Sequence, residues 1–356
     1  MYHSPTLQSY GRALRSTGFS LVELMVAITL SLLLLGGVVA LFSSSRVSYE
    51  STDQLSRVQE TGRFALEQMS RHIRSAGFSG CSRQPNFVST ALRSPGNLQW
   101  NFLEGPVRGF DAAASGWTPA ISSVPGAAAS TTGAIAGSDI LVVRGPRLDV
   151  TPVMVATSMA NPEDALEVTA TTGINSDGDV VMAYSCDGVA FFYAVPSGNT
   201  LVHGVTSGQP SNQFATTSYQ FRRNAEVVPV ETVTYFVAPS DGVVPVGTNS
   251  LWRRRGTLVA EELVQGVEQM QLEYGVDTDG DRLVDTYGPA TGTTNWQRVI
   301  AVRIALLVRS IEQYGTDTDR RTYRLTADTS VAPTNDRRLR EVFTSTVSIR
   351  NRARVD

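Results

Sequence analysis

The chain has 356 residues, of which 42% are hydrophobic and 18% charged, and its 30 basic and 33 acidic side chains leave a formal charge of −3. All 30 basic residues are arginine, which excludes a Schiff-base lysine, a lysine nucleophile and a P-loop lysine. Three histidines (His3, His72 and His203) leave little material for a His-rich metal site or a Ser-His-Asp triad, and near-neutral charge argues against a broad nucleic-acid footprint.

Residues 1–18 are polar, with Arg12 and Arg15 and no acid. A 19-residue run then extends from Leu24 to Phe42, with only Thr29 and Ser31 polar. At about 1.5 Å per residue such a helix crosses roughly 30 Å of hydrocarbon. The preceding arginines favour a cytoplasmic N-terminus and an exported remainder. A signal peptide has a shorter apolar core followed by small residues; here the small residue, Gly18, precedes the run. Glu23 lies at the start of the apolar segment, where a carboxylate costs about 2.5–3.5 kcal/mol if placed centrally. Cleavage after Gly18 would put a new α-amine on Phe19, four residues before Glu23, where it can neutralise the glutamate of a neighbouring subunit.

Basic leader, Gly18, Phe19 and Glu23 together resemble the class III signal sequence of type IV prepilins. The resemblance implies cleavage between Gly18 and Phe19 by a prepilin peptidase and methylation of the Phe19 amine. A plain single-pass anchor is the alternative reading of the same residues.

Past the apolar run, Leu55, Val58, Gly62, Leu66, Met69 and Ile73 recur at steps of three and four, one face of an amphipathic helix. Gly77 is a C-terminal stop signal. A helix over 19–76 would be about 87 Å long. Its membrane part is 19–42 and its amphipathic part packs on a head, with Gly36 and Gly37 as a point of loosening. Residues 111–138 are rich in Ala, Ser, Gly and Thr and read as a flexible insertion.

Beyond it come short strands split by turn residues: 139–143, 153–157, 166–171, 180–184, 189–195 and 230–237. Residues 261–268 read as a short helix leading into a strand at 270–274. Val299–Val308 reads as a mostly buried strand, and Glu341–Ile349 as a strand with Phe343, Val347 and Ile349 on one face. The expected class is α+β: a long N-terminal helix on a large, mostly antiparallel β head over 77–356.

An exported head lies in an oxidising compartment, so Cys81 and Cys186 are expected to pair, with two buried free thiols as the alternative. The segment Asp277-Thr278-Asp279-Gly280-Asp281-Arg282-Leu283-Val284-Asp285 places carboxylates at loop positions 1, 3, 5 and 9 and the Leu283 carbonyl at 7. Oxygen donors in that pattern suit Ca²⁺. Glycine stands at position 4 rather than 6, and Gly288 replaces the bidentate Glu of an EF-hand, so a solvated Asp/Gly hairpin turn remains the alternative. Asn175–Asp179 is a weaker echo of the same pattern, and Asp317 and Asp319, flanked by Arg320 and Arg321, read as turn or ion-pair residues.

Further segments resemble the PilW group of minor pilins: Ser70–Cys81, Gly137–Leu141, the strand around Cys186, Leu263–Glu268 running into Tyr274–Asp277, the Arg303–Arg309 strand, and Arg338–Arg352 with Phe343-Thr344 and Arg350-Asn351-Arg352. The resemblance implies a pilin-like fold and a non-enzymatic, low-abundance subunit of a type IV pilus. Such a subunit passes from the inner membrane to the pilus tip. It works with other minor pilins, the major pilin and a tip adhesin in initiating assembly, twitching motility and adhesion, or in DNA uptake. Direct nucleic-acid binding is not expected, since the clusters Arg253–Arg255 and Arg337–Arg340 read as solvated faces. The alternatives are a pseudopilin of type II secretion and a membrane-anchored periplasmic enzyme, sensor or binding protein. For an enzyme no Gly-x-Ser-x-Gly, HExxH or glycine-rich nucleotide loop is present.

Overall fold

A single helix, α1, runs from Leu21 to Ser75. The computed structural model describes residues 20–352 except 82–85, 95, 124–128, 130, 209, 243–244, 246, 294, 314–316 and 333–334. The chain divides into two units, residues 1–52 and 53–356. In the first unit α1 is exposed on every side from Leu21 to Glu50 and continues without a break through Gly36 and Gly37. Thr29 satisfies its own hydroxyl by donating to the Val26 carbonyl at 2.9 Å, so it leaves no unpaired polar group on the apolar surface. Arg46 and Glu50 pair at 2.9 Å one turn apart.

In the second unit α1 buries one face made by Val58, Gly62, Ala65, Met69, His72 and Ile73. The steps of four and three match the spacing expected of an amphipathic helix, although Ala65 replaces the half-buried Leu66 at the centre and Leu55 is largely exposed. The helix ends where expected. Gly77 adopts φ +61°, and its N–H donates to the Arg144 carbonyl at 3.0 Å, turning the chain into the head.

Eighteen strands follow among the described residues. The first six are β1 (Phe87–Thr90), β2 (Val107–Ala113), β3 (Gly116–Thr118), β4 (Ile140–Pro146), β5 (Val153–Met154) and β6 (Leu166–Glu167). Next come β7 (Asp179–Tyr184), β8 (Gly188–Ser197), β9 (Thr200–Val202), β10 (Glu226–Pro239), β11 (Asn249–Arg255) and β12 (Glu261–Gln265). The last are β13 (Val267–Val276), β14 (Thr286–Gly288), β15 (Val299–Arg309), β16 (Tyr323–Arg324), β17 (Ser330–Val331) and β18 (Arg340–Ser348). The first twelve form one sheet, while β14-β13-β15-β18 form a second. Among the described residues every pairing is antiparallel except β1 with β8. The class is therefore α+β and pilin-like, with a long helix on a mostly antiparallel head.

Strand β10 is the spine of the larger sheet. Its first residues pair with β5 and β7, and its later ones with β4 and β11. Pro229 falls at that change of partners, so a residue lacking an N–H is tolerated inside a 14-residue strand. Within 111–138, where the composition suggested an insertion, Asp111–Ala113 complete β2 and pair with β3. Trp117 donates its indole N–H to the Ser138 carbonyl at 2.8 Å and packs beside Phe110, Ile140 and Val142.

The expected helix over 261–268 is instead strand β12. Leu263, Val264 and Val267 have a spacing that also suits a helix, but Gly266 takes φ +89° and breaks the segment into two strands. A β-carbon at Gly266 would stand 2.7 Å from the Arg309 carbonyl oxygen, so only glycine fits the close approach.

The largest apolar cluster joins the inner face of α1 to both sheets. Ala65, Met69 and Ile73 pack with Leu141, Val143, Tyr235 and Val237 of the larger sheet and with Met270, Ile304, Leu306 and Val308 of the smaller. Each fully buried side chain of this size contributes about 1.5–3 kcal/mol, so this helix face is a main source of head stability. Gly62 permits a close approach: a β-carbon there would clash with the Phe343 ring of β18.

The two sheets are also joined by hydrogen bonds at 137–139. The Asp139 carboxylate accepts the Ala112 N–H from β2 at 2.7 Å and the Leu272 N–H from β13 at 2.8 Å. Ser138 Oγ accepts the Met270 N–H at 3.0 Å, and the Asp139 N–H donates to the Met270 carbonyl at 2.9 Å. Gln271 donates its side-chain amide to the Gly137 carbonyl at 2.9 Å, and Gln269 donates to the same oxygen. Burial pushes the Asp139 carboxyl up to about 7, against the pull of those two backbone donors.

Candidate functional site

The leader, Gly18 and Phe19 lie outside the described residues. Glu23, for which the sequence resemblance implies an assembly role, sits in the first turn of α1, where the positive end of the helix dipole favours a carboxylate. Around and beyond it the surface is apolar: Leu33, Leu34 and Phe42 are each more than 70% exposed. An 18-residue window of this helix reaches a mean hydropathy of 2.6, and among the described residues it is the one helix long and apolar enough to cross a membrane. A helix exposed on every side yet carrying almost no polar group requires either lipid or other apolar helices around it.

Cys81 and Cys186 are joined by a disulfide that spans 105 residues of chain. The bridge ties the segment just after α1 to the β7–β8 hairpin. Phe78 packs edge-on against Tyr184 beside it, with ring centroids 5.2 Å apart.

In the acidic loop between β13 and β14, Asp277, Asp279 and Asp285 bring carboxylate oxygens within 4.8 Å of one another, while Asp281 stands outside that group. The Leu283 side chain is exposed, and its N–H donates to Asp281 at 2.7 Å. Backbone donors of the loop engage the same acids. Asp277 accepts from the Gly280 N–H at 2.6 Å and the Arg282 N–H at 3.1 Å. Asp285 accepts from the Thr278 N–H at 2.7 Å and the Thr278 hydroxyl at 2.6 Å, bonds that hold its carboxyl below the usual range. A carboxylate has about four lone-pair sites, so these bonds orient the oxygens without exhausting them. Three oxygens fall short of the six to eight that Ca²⁺ takes, so an ion here would draw its remaining ligands from carbonyls and water.

The weaker echo at 175–179 is a turn. Asp179 pairs with Arg147 at 2.7 Å and accepts from the Asn175 side chain at 3.0 Å, rather than facing a second acid. Asp319, read as a turn or ion-pair residue, is buried and belongs to an ionic cluster that sequence reasoning missed. Arg340, whose side chain is wholly buried, holds Glu268 at 2.6 Å, Asp336 at 2.6 Å and Asp319 at 3.4 Å. Arg309 reaches Glu268 at 3.3 Å. Burial alone would raise Asp319, yet hydrogen bonds from Arg321 and Tyr323 bring it down to about 2. The cluster ties β18 and β15 to the start of β13. Glu268 is 72 residues from Arg340, and no local pattern links them.

His72 is buried in the α1 face with its Nδ1 2.7 Å from the Tyr235 hydroxyl. Burial lowers it to about 4, so the ring is neutral and structural. His203 is also buried, with Nε2 2.8 Å from the Asp164 carbonyl.

Residues 14–39 match the family model described as the prokaryotic N-terminal methylation motif. Residues 234–351 match the model described as Type IV Pilus-assembly protein W. The first covers the end of the leader and most of the exposed apolar helix. The second runs from the middle of β10 through β18 and so includes the whole smaller sheet, with Arg309, Arg340 and Phe343. No curated protein and no solved structure matches the chain. With a methylation motif on the apolar helix and the pilus-assembly match over the strands that pack on its other half, the two matches support a PilW-like type IV pilin.

Proposed function

We propose that this type IV pilus minor pilin acts in initiating pilus assembly and forms part of the complex at the pilus tip, and that through it the chain supports twitching motility and adhesion. The observation that carries the reading is the coexistence of the methylation motif with a PilW match in one chain. The large head, unlike a bare helical subunit, provides surface for contacts with other minor pilins, the major pilin and a tip adhesin. In the inner membrane the N-terminus is cytoplasmic and the head periplasmic. After cleavage by prepilin peptidase the apolar helix leaves the bilayer and packs among other pilin helices, and the Phe19 amine of one subunit neutralises Glu23 of another.

The test is deletion of the gene, followed by complementation with wild-type chain or Glu23→Ala. Loss of surface pili with type II secretion intact, restored by wild type but not by Glu23→Ala, supports the reading. Unchanged piliation, or a secretion defect alone, refutes it. As part of the same reading we offer Asp277, Asp279 and Asp285 as carboxylate ligands of Ca²⁺. Calorimetry with millimolar calcium tests this, and absence of heat that depends on Asp277 rejects it.

A further inference from the structure

A cavity of about 490 Å³ lies between the end of α1, the turn before β2 and strands β7, β8 and β10. One wall is apolar, built from Phe102, Phe191, Met182 and Val230. Phe102 and Phe191 stack there with centroids 5.0 Å apart and rings 7° from parallel. Its charged lining residues are Arg144 and Arg352, and no Asp or Glu lines it. Arg144 is 2% exposed, held by the Gly105 and Leu98 carbonyls and by Glu104 at 3.0 Å. Glu104 also pairs with Arg108, so one carboxylate serves two guanidinium groups. Arg144 Nε and Arg108 Nε find no hydrogen-bond partner. Arg352 donates Nη1 to the Gln297 carbonyl at 3.1 Å and has no carboxylate within ion-pair distance among the described residues. Two guanidinium groups thus share one carboxylate, and a third, on the cavity's lining beside an apolar wall, has none among the described residues. Burial lowers Arg352 and brings Arg144 down to about 9, as unbalanced positive charge in a poorly solvated place requires.

We propose that this cavity binds an apolar group carrying a single carboxylate, with Arg352 receiving the carboxylate and the Phe102–Phe191 stack receiving the apolar body. The volume lies in the range of small-molecule sites, about 300–1,000 Å³, and such sites combine apolar walls with a few fixed polar groups. A guanidinium matches a planar carboxylate through two parallel N–H donors. The aromatic wall disfavours inorganic phosphate, because it would strip hydration from a doubly charged ion without replacing it. Two sources share the favoured chemistry: a free apolar acid, and a polypeptide C-terminus ending in an apolar residue.

The test is calorimetric titration of the full chain in lipid nanodiscs with 3-phenylpropanoate, its neutral twin 3-phenylpropanol, the peptide Ala-Ala-Phe with a free carboxylate, and inorganic phosphate. Saturable binding of the acid or of the peptide, at least tenfold tighter than the alcohol and weakened at least tenfold by Arg352→Gln, is the expected result. Which of the two binds more tightly identifies the source. Val88→Trp, which fills the cavity from an exposed position on its lining, should abolish binding with the unfolding temperature unchanged. No binding of either carboxylate at millimolar concentration, binding indifferent to both substitutions, or phosphate as the tighter ligand would overturn the proposal.

Discussion

Asp139→Ala tests how the two sheets are held together. Asp139 is 3% exposed, and its two oxygens accept backbone N–H groups from strands of different sheets. Alanine leaves the Ala112 and Leu272 donors without acceptors. Each buried, unsatisfied donor costs about 1–3 kcal/mol, so the expected loss is about 2–6 kcal/mol. That is a large share of the roughly 5–15 kcal/mol by which folded proteins are stable. At about 2–4 °C per kcal/mol for a large domain, the unfolding temperature should fall by roughly 5–20 °C. Asp139→Asn retains one carbonyl acceptor and should lose about half as much. The assay is thermal unfolding of the full chain in detergent, followed by tryptophan fluorescence, with Asp187→Ala at an exposed position as control. A drop below about 2 °C for Asp139→Ala, or equal drops for Asp139→Ala and Asp187→Ala, would refute the reasoning.

Three further outcomes are expected. Gly62→Ala would normally stabilise a helix by about 1 kcal/mol, but here the added methyl meets the Phe343 ring, so the unfolding temperature should fall; a rise would show that the helix does not pack this closely. Replacing Cys81 and Cys186 together by Ser should cost up to about 5 kcal/mol in the chain-entropy model for a loop of this span, read as an unfolding midpoint that the reductant no longer alters. His72 is lowered from 6.5 to about 4 on folding, so below about pH 6.5 the unfolded chain binds a proton that the folded chain refuses. Stability should therefore fall as pH drops from 6.5 to 4, by up to about 3 kcal/mol. Asp139 has the opposite sign: its raised carboxyl favours the folded state at low pH and loses that contribution as pH rises towards 7. Comparing Asp139→Asn with Asp139→Asn/His72→Gln isolates the histidine, and identical pH slopes would contradict its assignment.

The long helix was legible because its signals are local. An apolar run, a three-four periodicity from Val58 to Ile73 and a glycine at the stop each need only neighbouring residues. Strands β15 and β18 were legible for the same reason, β15 from its nearly continuous apolar run and β18 from the alternation of its faces. Residues 261–268 were not, because Leu263, Val264 and Val267 suit either period; Gly266 and pairing with β11 decided the matter. From sequence strand β10 starts only at Val230, after a proline, and only the change of partners at Pro229 explains how it begins at Glu226. The three aspartates that converge between β13 and β14 were visible as a motif. The Arg340 cluster and the Arg144–Arg352 cavity were not, since their members come together only when distant segments pack. The Gly137–Asp139 segment stood out by resemblance, but its work of joining two sheets depends on partners more than 130 residues away.

Mass spectrometry of the mature N-terminus tests the central claim most directly. A pilin processed by prepilin peptidase yields an N-terminal peptide beginning at Phe19 and carrying one methyl group on its α-amine. Recovery of that peptide from membranes and from sheared pili is the expected result. A chain still beginning at Met1, or cut after the apolar run, would contradict the assignment of the helix to pilus assembly.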